Sequence, residues 1–213
     1  MNKILLNKFF LNLSRIYIDP KSELKYINKF TFLIAVILSA QATDVSVNKA
    51  TKQLFKIAKK PQDILLIGER KLKSYIKTIG LFNMKAKNII ALSKILINKF
   101  DNKIPEKFED LIALPGVGKK TASVYQNTIL GLPRIAVDTH VFRVSNRIGI
   151  VKTKTPESTQ IKLEEVVPKK WLMSAHHLLI LHGRRVCKSQ KPLCALCKVS
   201  YFCSYSKKIN SNI

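Results

Sequence analysis

The chain has 213 residues, 46% of them hydrophobic, enough for one ordinary domain or two small lobes with buried cores, and this excludes a disordered polymer. Lys and Arg number 38 against 13 Asp and Glu, a net charge of +25, so the partner such a surface fits is a polyanion, either nucleic acid or an acidic membrane face. The plain alternative is compositional drift, because Lys, Asn and Ile are abundant throughout, as an AT-biased genome would produce.

In chain order, residues 1–15 (MNKILLNKFFLNLSR) are basic and free of acids, but Asn and Lys interrupt the apolar stretch and no small-residue cleavage site follows. A secretory signal is therefore not expected, and the simplest reading is a cytoplasmic chain. The longest apolar run, residues 31–40 (TFLIAVILSA), falls far short of the ~18 residues a membrane-spanning helix needs. It reads as a buried core helix that ends at Gln41, and no membrane partner is expected. Leu81 follows Gly80 in TIGLFN, and residues 85–99 carry Ile89, Leu92 and Leu96 at helical steps. Pro61, Gly80, Pro105, Pro115 with Gly116, and Gly131 with Pro133 fall between such segments as stops, and no alternating strand pattern occurs, so the predicted class is all-α. The polar tail after Tyr205 is expected to fray.

Residues 114–122 (LPGVGKKTA) join two predicted helices. The first opens at Ile104-Pro105-Glu106 with Phe108, Leu111 and Ile112 on one face; the second runs from Lys120 to a stop at Gly131 and Pro133. Gly116 and Gly118 are expected to take positive φ and to bare backbone amides beside a helix amino end, a ready site for a phosphate. A nucleotide P-loop is excluded, since it needs four residues between its glycines and Ser or Thr after the Lys, where this chain has Lys120. A simple capped turn between two helices remains the plain alternative. Further on, Asp138 in IAVDTHVFR suits a helix N-cap, and His140 follows it closely. His176 and His177 sit in an apolar helical stretch and read as structural.

All four cysteines lie between positions 187 and 203, with six, two and five residues between successive members. In a chain with no export signal this density argues for a metal site over a disulfide framework. Thiolates serve zinc and iron–sulfur clusters alike, and the spacing selects neither. Two readings without catalysis are open at this level: a non-catalytic helix-hairpin-helix DNA binder, and a zinc-stapled interaction protein whose charge is drift.

Taken together, ILSAQATDVSVNKAT, YIKTIGLFNMKAKNI, LPGVGKKTA, AVDTHVFR and the array Cys187, Cys194, Cys197, Cys203 closely resemble the endonuclease III family of helix-hairpin-helix DNA glycosylases, over nearly the whole chain. The resemblance implies a four-iron, four-sulfur (4Fe-4S) cluster on the four cysteines. It implies a two-lobed helix-hairpin-helix glycosylase fold with a carboxy-terminal iron–sulfur loop: a six-helix lobe over residues 21–132, with the hairpin at about 106–131, and a cluster lobe made of 1–20 plus 133–213, with DNA crossing between them. It implies excision of oxidised pyrimidines from duplex DNA, with Lys120 as nucleophile and Asp138 as the carboxylate that takes its proton and steadies the cationic sugar. An ordinary lysine, with pKa about 10.4, is protonated at neutral pH, so the chemistry requires burial or neighbouring positive charge to free the amine. A Schiff base at C1′ then permits β-elimination, so one residue would account for both glycosylase and AP lyase activity. The resemblance further implies Gln41 as the partner of the widowed base and Leu81 as the wedge in the stack. It places Gly116, Val117, Gly118, Lys119, His140 and Lys191 against DNA, with Lys188 and Lys191 held outward by the cysteine loop. The expected partner is double-stranded DNA bearing damaged pyrimidines or abasic sites, and the expected state is a bacterial, nucleoid-associated monomer.

Overall fold

Among the described residues, 1–18 and 23–205 of the computed structural model, the chain forms ten α-helices and no strand, as the periodicity predicts. In order these are α1 (Lys3–Ile16), α2 (Lys29–Ser39), α3 (Asp44–Ile57), α4 (Pro61–Ile76), α5 (Phe82–Phe100), α6 (Phe108–Ile112), α7 (Lys119–Leu130), α8 (Thr139–Ile148), α9 (Pro156–Val166) and α10 (Leu172–Arg185). Short 3₁₀ turns follow at Lys169–Trp171, Cys194–Leu196 and Ser200–Phe202. The polar tail after Tyr205 and the lobe boundary expected at residue 21 lie outside the described residues. The helices divide into two compact units, Glu23–Leu130 and a second made of Met1–Ser22 with Gly131–Ile213.

The Glu23–Leu130 unit is built round α2. Asn28 and Thr31 close its amino end as a capping box, each side chain accepting from the other's backbone N–H at 2.9 Å. Every residue from Phe30 to Leu38 is buried, so α2 is apolar on all sides and the other helices of the unit wrap it. On α5 the predicted stripe of Ile89, Leu92 and Leu96 is fully buried, each such side chain contributing about 1.5–3 kcal/mol. Pro61, expected as a stop, instead occupies the first turn of α4, where its missing N–H has no helical partner to lose. The first hairpin helix differs from its sequence reading. It begins at Phe108 and has five residues, which is too short for a broad apolar face: Leu111 is buried while Ile112 is exposed.

In the other unit α1 buries Leu6, Phe9, Phe10 and Leu13, one stripe at helical spacing. Trp171 stacks on Phe10 and its Nε1 donates to Asn7 Oδ1 at 2.9 Å, so the amino-terminal segment is a core helix of this unit. Helices α8 and α10 pack closely at Gly183. A Cβ there would stand 3.0 Å from His140 Cβ and 3.1 Å from Val144 Cγ2.

Candidate functional site

The turn between α6 and α7 is shaped by one glycine. Gly116 has φ +81, and a Cβ on it would lie 3.1 Å from Asn88 Cβ and 3.4 Å from Ile37 Cγ2, so the turn sits hard against α5 and α2. Val117 buries its side chain beneath the turn and its N–H donates to Leu114 O at 3.0 Å, leaving only its backbone for outside contact. Gly118 departs from expectation: its φ is not positive, and a Cβ on it would meet nothing within 4 Å. What Gly118 provides is open space at the amino end of α7, where Ala122 N–H donates to Gly118 O and the amides of the first turn have no partner within the helix. Lys119 and Lys120 are the first two residues of α7 and both are exposed. The burial expected at Lys120 is thus absent in the free chain.

Two further expected residues lie side by side in the same unit. Gln41, just past the end of α2, and Leu81, just before α5, both hold left-handed backbone, with φ 57 and φ 60. A Cβ on Gly80 would stand 3.9 Å from Gln41 O, so the two turns touch. Leu81 is 54% exposed, and left-handed backbone at a branched side chain costs about 1–2 kcal/mol. Strain of this kind gathers at ligand-gripping sites. Lys191 in the cysteine loop is also left-handed, at φ 47.

In the other unit Asp138 caps α8, its Oδ1 accepting from Val141 N–H at 2.8 Å, so the capping role is real and leaves a half-exposed carboxylate at the helix amino end. His140, two residues on, accepts at Nδ1 from Arg143 Nη2 at 3.2 Å. His176 is buried and donates from Nδ1 to Ala136 O at 2.6 Å, the structural role expected of it.

The four cysteines are unpaired as disulfides and line one pocket, walled by Ile148, Val186, Leu193 and Val199 and by His182. Burial raises the Cys187 and Cys197 thiols above their ordinary pKa, with Arg147 pulling Cys187 back down. His182 is held neutral, its pKa pushed down by burial to about 4, and its Nε2 stands 3.7 Å from Cys197 Sγ while Nδ1 meets Tyr17 Oη at 3.3 Å. Among the described residues, no three His, Cys, Asp or Glu side chains are drawn tightly enough together to hold one metal ion.

Sequence reasoning missed the side chains that hold this pocket's rim. Arg143, one turn into α8, donates to Gly183 O and Cys187 O at 3.0–3.1 Å. Arg147, a turn further, donates to Lys188 O and Ser189 O at 2.6 and 2.7 Å, and its Nη1 lies 3.9 Å from Cys187 Sγ. The signal was two arginines four apart behind Asp138, on a helix face whose direction no spacing rule reveals. Lys188 and Lys191 are exposed on the loop thus held.

The chain belongs to the HhH-GPD superfamily of base excision DNA repair proteins, whose sequence profile matches residues 34–169. Within it the chain belongs to the endonuclease III family. It is 55% identical to endonuclease III of Rickettsia conorii over 205 residues, 96% of this chain and 98% of that protein. It is 49% identical to endonuclease III of Escherichia coli over 191 residues, 90% of each. The solved structure of a trapped endonuclease III–DNA covalent intermediate is 38% identical and superposes with a TM-score of 0.92 over 99% of both chains. The protein is accordingly a DNA-binding repair enzyme, a DNA glycosylase with AP lyase activity.

Proposed function

We propose that the enzyme excises oxidised and otherwise damaged pyrimidines from duplex DNA, with Lys120 as nucleophile and Asp138 as proton acceptor. The observation that carries this reading is the hairpin itself: an open Gly118 and the amino end of α7 offer a seat for a backbone phosphate, with Lys120 exposed in that same first turn. The neutral ε-amine attacks C1′ and the base departs with the electrons of the glycosidic bond. Asp138 takes the amine proton and its charge steadies the sugar as positive character develops. Opening of the sugar ring gives an iminium, loss of a C2′ proton breaks the C3′–O bond, and water releases the lysine. The trapped covalent intermediate solved for the related endonuclease III supports a covalent route. Gln41 and Leu81 fill the gap left by the everted nucleotide, and Gly116 to Lys119, His140 and Lys191 lie along the phosphates.

The cysteine pocket fits a 4Fe-4S cluster held by Cys187, Cys194, Cys197 and Cys203. Four cysteines line one hollow with Arg147 beside Cys187 to offset thiolate charge, and the match to the endonuclease III family favours the cluster over a single zinc. Such a group would act as a staple, keeping Lys188 and Lys191 turned outward. We further infer that the α2–α7 unit is the hairpin lobe and the remainder the cluster lobe, and that the enzyme works as a monomer in the bacterial cytoplasm at the nucleoid; no described helix is long and apolar enough to cross a membrane.

Borohydride trapping on duplexes carrying an oxidised thymine tests the assignment. Lys120→Ala is expected to abolish the covalent adduct while duplex binding stays within about threefold, since Lys119 and the helix amino end remain. A persisting adduct would remove Lys120 from its role.

A further inference from the structure

Lys85 is 6% exposed, an unusual burial for a lysine, and it stands in the first turn of α5 with no role in the chemistry above. Its Nζ donates to Leu38 O at 2.9 Å and to Ala40 O at 2.6 Å, the carbonyls that close α2 immediately ahead of Gln41. Its backbone N–H donates to Leu81 O at 3.0 Å. One residue is therefore bonded to both strained turns, and Gly80 brings the turns into contact beside it.

The charge logic is that of a helix carboxyl end, where unsatisfied carbonyls attract a cation. Burial lowers the amine's pKa and makes this a costly place for an ammonium, a cost offset by the two carbonyls it binds. What an apolar side chain could not do is hold the end of α2 at a set distance from the start of α5.

We propose that Lys85 is a positioning residue for base eversion: clamped on the Leu38 and Ala40 carbonyls, it sets the spacing of the Gln41 and Leu81 turns so that both side chains enter the duplex together. The inference rests on the gap-filling roles given above to Gln41 and Leu81. It predicts a selective defect. Removing a paired base from the stack needs both turns in register, whereas an abasic site has no base to unpair, and its capture by Lys120 depends far less on them.

The test is single-turnover kinetics on two duplexes, one with an oxidised thymine paired to adenine and one with an abasic site, with 2-aminopurine beside the lesion to report unstacking. Lys85→Met is expected to slow excision and the fluorescence rise on the paired lesion about tenfold, with borohydride trapping at the abasic site within twofold. Lys85→Arg, which keeps charge and donors at a different reach, is expected to fold and to lose about threefold on the paired lesion only, and it decides the matter if the Met variant does not fold. Equal losses on both substrates, or no loss on either, overturn the proposal. Leu81→Ala run in parallel separates the two levels: if it excises the paired lesion at the wild-type rate the gap-filling reading itself fails, and if it is slow while the Lys85 variants are not, only the positioning role fails.

Discussion

At the scale of single residues, the observed cap of Asp138 and the catalytic role proposed for it are separable by one substitution. Its Oδ1 caps α8, and Asn caps a helix about as well as Asp. Asp138→Asn is therefore expected to melt within about a degree of the wild type, yet to excise bases at least a hundredfold more slowly, read by single-turnover kinetics beside calorimetry. Asp138→Ala would add the loss of a cap, about 1 kcal/mol. Leu81 offers the converse case, in which the wedge role proposed for it would be held at the expense of stability. Glycine adopts φ 60 without penalty, so Leu81→Gly is expected to raise unfolding stability by about 1 kcal/mol in urea titrations while slowing excision of paired lesions about tenfold.

At the scale of elements, the two glycines of the hairpin turn do different work. Gly116 combines φ +81 with a 3.1 Å approach to Asn88 Cβ, so Gly116→Ala is expected to cost about 2 kcal/mol in denaturant melts and to displace the turn. Gly118→Ala faces neither problem; its stability is expected to be unchanged within 0.5 kcal/mol while duplex affinity falls about tenfold, because the new methyl group occupies the approach to the α7 amides. If the two variants behave alike, the turn is only a connector. The α8 helix is likewise more than a scaffold. Asp138 begins it, and Arg143 and Arg147 hold the Cys187 loop from its next two turns, so one ten-residue element carries a candidate catalytic group at one end and the rim of the cysteine pocket along its side.

At the scale of the whole molecule, a net charge of +25 sets the salt response. Each phosphate neutralised contributes about −0.9 to the slope of log K against log salt, so six or more contacts should reduce affinity about a thousandfold between 50 and 200 mM salt, measurable by fluorescence anisotropy. A shallow slope would mean that most of the charge is compositional drift.

Much of this architecture is legible from residues alone, for identifiable reasons. The all-α class, the burial of residues 30–38 and the stripe Ile89, Leu92, Leu96 follow from apolar spacing, which is local. The crowding of four cysteines into one segment is local too, and so is the glycine turn before Lys120. Other features depend on where distant segments meet. Lys85 reads as one more surface lysine until α5 is packed beside the end of α2, and Arg143 and Arg147 read as solvated charges until the Cys187 loop is folded over them. Ile112 was misplaced because apolar periodicity presumes a helix longer than the five residues that form. The sequence by itself thus determined helix content, the chemistry-bearing residue types and their local order, since these follow from the 3.6-residue turn and from side-chain chemistry. Only the tertiary structure decided which carbonyls Lys85, Arg143 and Arg147 bind, which glycine must be glycine, and that Gln41 and Leu81 are neighbours, because those depend on contacts between residues 40 or more positions apart, or between a turn and the helices beneath it.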